Sequence, residues 1–371
     1  MKIICSKSNL LKSVNISLKA VPSKTTMPIL ECILMDATTN QIKFTTNDME
    51  LGIETKVEGD ILEKGKIALD AKLFSEIARK LSDSDSLVTI ESDEKFNTVI
   101  TCENSVFKIQ GKDGEEFSYL PYIERNKNIT LSQFSLKEVI RQTIFSISVN
   151  DSNKMMSGEL FEVKGNELRV VSLDGHRISI RKIGLKEDYD DIKVIVPGKT
   201  LSEISKILNG DNEKEVQIYF SKNHILFEFD DTIMVSRLIE GEYFKIDNML
   251  SSDYETKVTV NKKEFLDNID RAMILIRESD RKPIILNVTD TEIGLRVKSA
   301  FGSMNSQVSA HKTGRDIMIA FNPKFLVDAL RAIDDETVDL YMMNPKSPCF
   351  IRDEEEQYIY LILPVNFIAE N

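Results

Sequence analysis

The sequence predicts an α+β protein of three like domains, each with two helices packed on antiparallel sheet. One observation is a repeat: DAKLFSEIARKL (Asp70 to Leu81) returns as PGKTLSEISKIL (Pro197 to Leu208) and NPKFLVDALRAI (Asn322 to Ile333). The spacing, about 126 residues, is that of a domain and not of a solenoid unit. A second is that each copy has paired strand-like runs between two helical stretches, which implies hairpins and hence antiparallel sheet with the helices layered on it.

Taken in order, each repeat opens with a short strand-like run and a first helix: SKSNLLKSVNISL from Ser6, SLKEVIRQTIFSI from Ser135 and NKKEFLDNIDRAM from Asn261. Hairpins follow from Ile29, Gly158 and Ile284, with turns expected at Thr39-Asn40, Gly165-Asn166 and Asp290-Thr291. The second helix comes next, then two or three further strands such as VQIYFSKNHILFEFDDTIMVSRLI from Val216, so one repeat reads β-α-β-β-β-α with strands added. Pro, Asn and Asp gather near 121–128 and 248–255, which divides the chain into domains 1–125, 126–252 and 253–371.

Composition narrows the function classes. A chain of 371 residues, 42% hydrophobic and 29% charged, can bury a core in each of three domains. Four scattered cysteines, no CxxC pair and apolar runs no longer than a strand suggest a cytosolic protein without zinc or membrane span. The net charge of -12 by itself disfavours nucleic acid, yet its distribution does not. Each second helix carries a base, an acid four residues on and a base seven residues on: Lys72, Glu76, Arg79; Lys199, Glu203, Lys206; Lys324, Asp328, Arg331. That spacing puts all three on one face, opposite the apolar stripes Phe74/Ile77/Leu81, Leu201/Ile204/Leu208 and Leu326/Leu330/Ile333. In one helix such a stripe is a set of stabilising pairs; in three it can form a phosphate-attracting surface that reads no bases.

No catalytic constellation is expected. PGKT (Pro197 to Thr200) lacks the first glycine of a phosphate loop and reads as a strand-to-helix turn. His224 and His311 read as solvated, and no metal or cofactor is implied.

The motif LDGHRI (Leu173 to Ile178) has no like counterpart in the other repeats, which read NDMEL (Asn47 to Leu51) and SAFGS (Ser299 to Ser303). Together with KTTMPIL from Lys24, SGELFE from Ser157, VIVPGK from Val194, LIEGEYF from Leu238 and LILPV from Leu361, it resembles the bacterial sliding clamp family, the beta subunit of the replicative DNA polymerase. The resemblance spans the whole chain and implies the DNA-clamp fold, with helices lining a ring. It implies a homodimeric, non-enzymatic processivity factor that slides on duplex DNA. The implied partners are the polymerase catalytic subunit, the clamp loader and repair polymerases. By similarity Lys24, Asn150 and Lys154 contact DNA, and the helix stripes add Lys199 and Lys206. The implied partner-peptide pocket comprises Met156, Leu173, Gly175, His176, Arg177, Ile178, Phe244, Asn248, Met249, Leu361, Leu363, Pro364, Val365 and Asn366, with aliphatic walls and Gly-His-Arg as polar anchors. Leu173, Phe244 and Asn366 stand where the family often has threonine, proline and arginine. The implied dimer contact is Phe107, Ile109, Ile274 and Leu275. The alternative from another class is a DNA-independent multi-domain scaffold.

Overall fold

Every helix begins where a strand ends. A computed structural model describes residues 1–82, 85–149, 153–250, 253–277 and 282–367. The first repeat runs β1 (Lys2–Ser6), α1 (Lys7–Ser17), β2 (Cys32–Asp36), β3 (Ile42–Asn47), β4 (Leu51–Val57), β5 (Gly59–Glu63), β6 (Lys66–Asp70), α2 (Ala71–Lys80), β7 (Leu87–Ser92), β8 (Asn97–Cys102), β9 (Ser105–Gln110) and a two-residue β10 (Lys112–Asp113). The second has β11 (Asn128–Ser132), α3 (Gln133–Thr143), β12 (Gly158–Leu173), β13 (Arg177–Pro197), α4 (Gly198–Ile207), β14 (Glu215–Phe220), β15 (His224–Phe229) and β16 (Thr232–Arg237). The third has β17 (Thr256–Asn261), α5 (Lys262–Met273), β18 (Ile284–Val288), β19 (Glu292–Ser299), β20 (Gly302–Gly314), β21 (Ile317–Phe321), α6 (Pro323–Ala332), β22 (Thr337–Met342), β23 (Cys349–Arg352) and β24 (Tyr358–Ile362).

The strand-to-helix switch is written in cap residues. Ser6, Asp70, Asn261 and Asn322 each accept a hydrogen bond from a backbone N–H two or three residues on, which satisfies a donor that the first helical turn leaves open. Pro323 takes the first helical position, where no N–H is needed. The apolar stripes expected of α2, α4 and α6 are all buried, and Lys72, Glu76, Arg79, Lys199, Lys206, Lys324 and Arg331 are exposed. Two members depart from the expected solvated face: Glu203 is half-buried, 2.7 Å from Lys206 Nζ, and Asp328 turns to Arg177, its Oδ2 2.7 Å from Nη1.

By contact density the chain divides into Met1–Phe134 with Glu203–Leu238, and Ser135–Ser202 with Ile239–Asn371. The first unit holds a five-stranded sheet, β5-β1-β7-β8-β9, and a nine-stranded sheet, β10-β6-β2-β3-β4-β16-β15-β14-β11. Its core packs α1 and α2 on these strands, with Phe44 and Phe74 edge to face at 6.0 Å. The second unit holds a ten-stranded sheet, β12-β13-β24-β23-β22-β17-β20-β19-β18-β21, under a core that includes Phe265, Ile269, Leu326 and Leu330. Each large sheet therefore crosses a repeat junction, through β4·β16 in one unit and β13·β24 in the other.

Three local expectations change. Ile29–Glu31 form a 3-10 turn with Pro28 and not the start of a strand. Five strands, not three, separate α1 from α2. His224 is half-buried, and that burial, with Arg237 nearby, lowers its pKa below the usual imidazole value. The expected Gly165-Asn166 turn falls inside the single strand β12, where Gly165 has φ +56° and the β12·β13 register shifts on either side of it. Gly198 of PGKT is fixed by packing, since a Cβ there would lie 2.3 Å from Ile147 Cδ1 and 2.9 Å from the Ser157 carbonyl.

Candidate functional site

The face of the ten-stranded sheet that carries the LDGHRI motif is built in rows, because directly paired residues on adjacent strands share a face. Leu173 pairs with Ile178, Ile178 with Leu361, and Leu361 with Phe350. Two residues along lies a second row, Val171, Ile180, Ile359 and Arg352. The apolar members form one cluster with Leu160, Ile195, Tyr243 and Ile246, and Met156 and Phe244 pack on it half-buried. Above this floor stand groups that leave apolar surface open: Met249 is 54% exposed, and Leu363 and Val365 are each 37% exposed.

The rim is fixed by backbone bonds. Leu363 N–H donates to the His176 carbonyl at 2.9 Å, and Val365 N–H to the Ala320 carbonyl at 2.8 Å, which draws the tail after β24 out in extended form through Pro364 and Asn366. Gly175, at φ +87°, turns the chain tightly between β12 and β13 while Asp174 accepts from the His176 and Arg177 N–H groups. His176 is exposed and stacks on Phe325 at 6.2 Å. Asn248 is exposed in the turn Ile246–Met249.

Arg177 has a different part from that of an open anchor. Its side chain is only 8% exposed, and it donates to Asp174, Asp328 and the Phe145 carbonyl while lying over the Phe145 and Phe325 rings. Its donors are committed, so it locks the motif to α6 and the groove keeps His176 and backbone groups for polar contact. The result is a channel with an apolar floor, flexible Met and aliphatic walls and backbone groups at the rim, suited to an extended peptide.

The other sequence-derived residues are placed as follows. Lys24 is exposed in a loop and Lys154 at the start of the 3-10 turn Lys154–Ser157, Lys199 and Lys206 are exposed on α4, and Lys206 Nζ lies 2.7 Å from Glu203. Asn150 lies outside the described residues, as do residues 368–371. In the first unit Phe107 and Ile109 are half-buried against the core; in the second Leu275 is half-buried and Ile274 is 82% exposed. Sequence reasoning missed Leu160, Val171, Ile180, Tyr243, Ile246, Phe350 and Ile359, although the strand period of two from Leu173 and Leu361 points to several of them. All four cysteines are buried and free, and burial pushes the Cys5 and Cys349 thiols up to about 12. Among the described residues no group of three or more His, Cys, Asp or Glu could hold a metal ion, and no helix is long and apolar enough to cross a membrane.

Repeated domains of helices on antiparallel sheet, with an apolar cluster at one junction, place the chain in the DNA-clamp class. Family models for the DNA polymerase III beta subunit match the chain in three pieces: the N-terminal domain over residues 1–121, the central domain over 130–245 and the C-terminal domain over 248–366. The beta sliding clamp of Staphylococcus aureus is 33% identical, over 98% of this chain and 99% of that protein. Among solved structures, a DNA polymerase III beta subunit from Eubacterium rectale is 65% identical with a TM-score of 0.96, covering 99% of this chain and 100% of that one. The sliding clamp of Bacillus subtilis is 33% identical with a TM-score of 0.94 at the same coverage. The chain belongs to the DNA polymerase III beta subunit family, the bacterial sliding clamps. Membership supports the role of a processivity factor in DNA replication.

Proposed function

We propose that two copies of this chain close head to tail into a ring around duplex DNA and hold the replicative polymerase there. The observation that carries this is a pattern of rows with one place left open. In the first unit a row runs Asn128, Tyr219, Leu226, Val235, Gly52, Asn47. In the second it runs Lys257, Tyr341, Phe350, Leu361, Ile178, Leu173. Asn128 and Lys257 both stand five residues before the first residue of a helix, and so does Lys2. The row from Lys2 runs Glu91, Val99, Lys108 and stops, because β9 ends its sheet. Its missing half is Gly302 and Ser299, paired with each other on β20 and β19, and β17 covers β20 only from Ala310 to Gly314. Completing the row sets Gly302 of one copy opposite Lys108 of the other, and Met304 opposite Val106. Such a heterologous contact, made twice, closes a ring. Val106, Ile274 and Phe301 are the apolar groups it would cover, each more than half exposed in the single chain.

Three domains, 1–125, 126–252 and 253–371, each present twice, then make six around the ring. Their basic helix stripes, with Lys199 and Lys206, and the loops of Lys24, Asn150 and Lys154 form a lining that attracts phosphate while the excess acid lies elsewhere. Weak, sequence-blind contacts suit sliding, since closure and not affinity retains the DNA. The channel at Leu173, Ile178 and Leu361 takes linear peptides of the polymerase catalytic subunit, the clamp loader and repair polymerases.

Once loaded, the protein should stay on circular DNA at moderate salt and leave when the circle is cut. Equal loss from both forms would refute the ring. The register has its own test: directly paired Cα atoms lie within disulfide reach, so a protein carrying Val106→Cys and Met304→Cys should oxidise to a covalent dimer. Absence of that cross-link in a protein that still dimerises would refute the pairing.

A further inference from the structure

We propose that Arg169, outside the peptide channel, is a positioning residue that sets the channel's affinity by holding the turn Ile246–Met249 to the sheet. The inference rests on the peptide-channel reading above and deepens it. Arg169 is third in the alternate series Leu173, Val171, Arg169 on β12, so it stands on the channel face, one step beyond the apolar rows. Its side chain is 14% exposed; Nη1 donates to Glu162 Oε2 at 3.2 Å and Nη2 to Asp247 Oδ1 at 2.7 Å. Nε is buried with no partner, so the two carboxylates are the guanidinium's side-chain ties.

Asp247 lies in the turn between Ile246 and the exposed Asn248 and Met249, and Phe244 and Leu250 on either side of that turn pack on the floor cluster. Its own side chain is 76% exposed, so burial does not hold it. Arg169 does, and it keeps the Asp247 carboxyl below the usual carboxylate range. The arm has two other anchors: Ile246 is buried in the floor cluster and the Tyr243 hydroxyl donates to the Val171 carbonyl at 3.3 Å. From Phe244 to Leu250, among the described residues, the Arg169 bond is the one side-chain hydrogen bond to the sheet. Beside it opens a recess of about 390 Å³ lined by Arg169, Asp247, Leu250, Phe350, Arg352 and Ile359, so no packed side chain backs the turn there. Without Arg169 the turn pivots about Ile246, and the wall made by Phe244 and Met249 is in place only part of the time. Apparent affinity falls by the fraction of time the wall is formed, so a tenth occupancy means a roughly tenfold weaker Kd.

The experiment is a cycle of Arg169→Gln, Asp247→Asn and the double variant in the full-length protein. Binding of a labelled synthetic peptide from the clamp-contacting segment of a bacterial replicative polymerase is read by fluorescence anisotropy. Each single change should raise Kd by about tenfold, and the pair no more than either alone, because both remove one bond. Arg169→Lys should restore part of the loss by keeping a cation for Asp247. Asp247→Asn, at an exposed side chain, should weaken the peptide with no change in melting temperature, which a merely structural role would not produce. Kd values within twofold of wild type, or a double variant equal to the product of the singles, overturn the proposal. Failure of the channel reading would look different: wild type would not bind the peptide, or Leu361→Asp would bind it as well as wild type.

Discussion

Glu159 lies in β12 with its side chain wholly buried, and neither carboxyl oxygen has a hydrogen-bond partner. The nearby Thr143 hydroxyl donates to the Val139 carbonyl at 2.7 Å, so its proton is not available to a carboxylate. Burial drives the acid well above the usual glutamate pKa of 4.5, so folding favours its protonated form. The sign of the linkage follows. Above pH 4.5 the unfolded chain releases this proton and the folded chain does not, so the folded state binds one more and stability falls as pH rises. The slope is about 1.4 kcal/mol per pH unit until the folded group itself ionises. Glu159→Gln keeps the shape and removes the titration, so its stability relative to wild type should improve as pH rises from 5 to 7. Glu159→Met also removes an unsatisfied buried polar group and should add about 1–3 kcal/mol at any pH in that range. Urea unfolding of the three proteins at pH 5, 6 and 7 measures both effects. Parallel pH profiles for wild type and Glu159→Gln would refute the reasoning, because they would mean that the folded carboxyl ionises as in water.

Three other changes test separate parts of the structure. Arg177→Ala leaves Asp174 and Asp328 without their partner at a site only 8% exposed, and denaturant unfolding should show a loss of about 3–5 kcal/mol. Gly198→Ala drives a methyl into Ile147 and the Ser157 carbonyl, and the same measurement should give a loss of about 1–3 kcal/mol. Ile274→Asp, at a side chain 82% exposed in the single chain, should leave melting of the chain unchanged while sedimentation shows the mass fall from two chains to one.

The repeat, the helix stripes and the strand-to-helix order were legible because they rest on periodicity and on residues such as Asp70, Asn261 and Asn322 that cap a helix by local chemistry. The channel was legible only in part. Leu173, Ile178 and Leu361 are apolar strand residues like dozens of others, and what makes them a floor is cross-strand register over nearly 190 positions of chain, which no local pattern encodes. Arg177 misled for the same reason: a Gly-His-Arg turn in sequence looks open to solvent, and its acceptors Asp328 and the Phe145 carbonyl are remote along the chain. Arg169 and Asp247 carried no signal, since either alone is an ordinary charged residue on a half-buried strand or a turn.

Why the two junctions present different surfaces is answered by the rows themselves. The fold supplies the same six positions at both. At the second junction the inner three are Leu173, Ile178 and Leu361; at the first they are Asn47, Gly52 and Val235. The residue two past Leu361 is Leu363, and the residue two past Val235 is Arg237. Leu173, Ile178 and Leu363 thus give way to Asn47, Gly52 and Arg237, and each large aliphatic side chain lost removes burial worth on the order of 1.5–3 kcal/mol. The recess at the first junction, about 340 Å³, is lined by Met49, Tyr119, Leu120, Pro121 and Val235 together with Asn47, Glu50, Ser118, His224 and Arg237, and Leu120 fills the space beside Gly52. Backbone symmetry thus sets where a groove can exist, and the departures from symmetry in side chains decide what surface it presents. LDGHRI stood out in the sequence because it breaks the repeat, and the break falls in the row Leu173, Ile178 and Leu361.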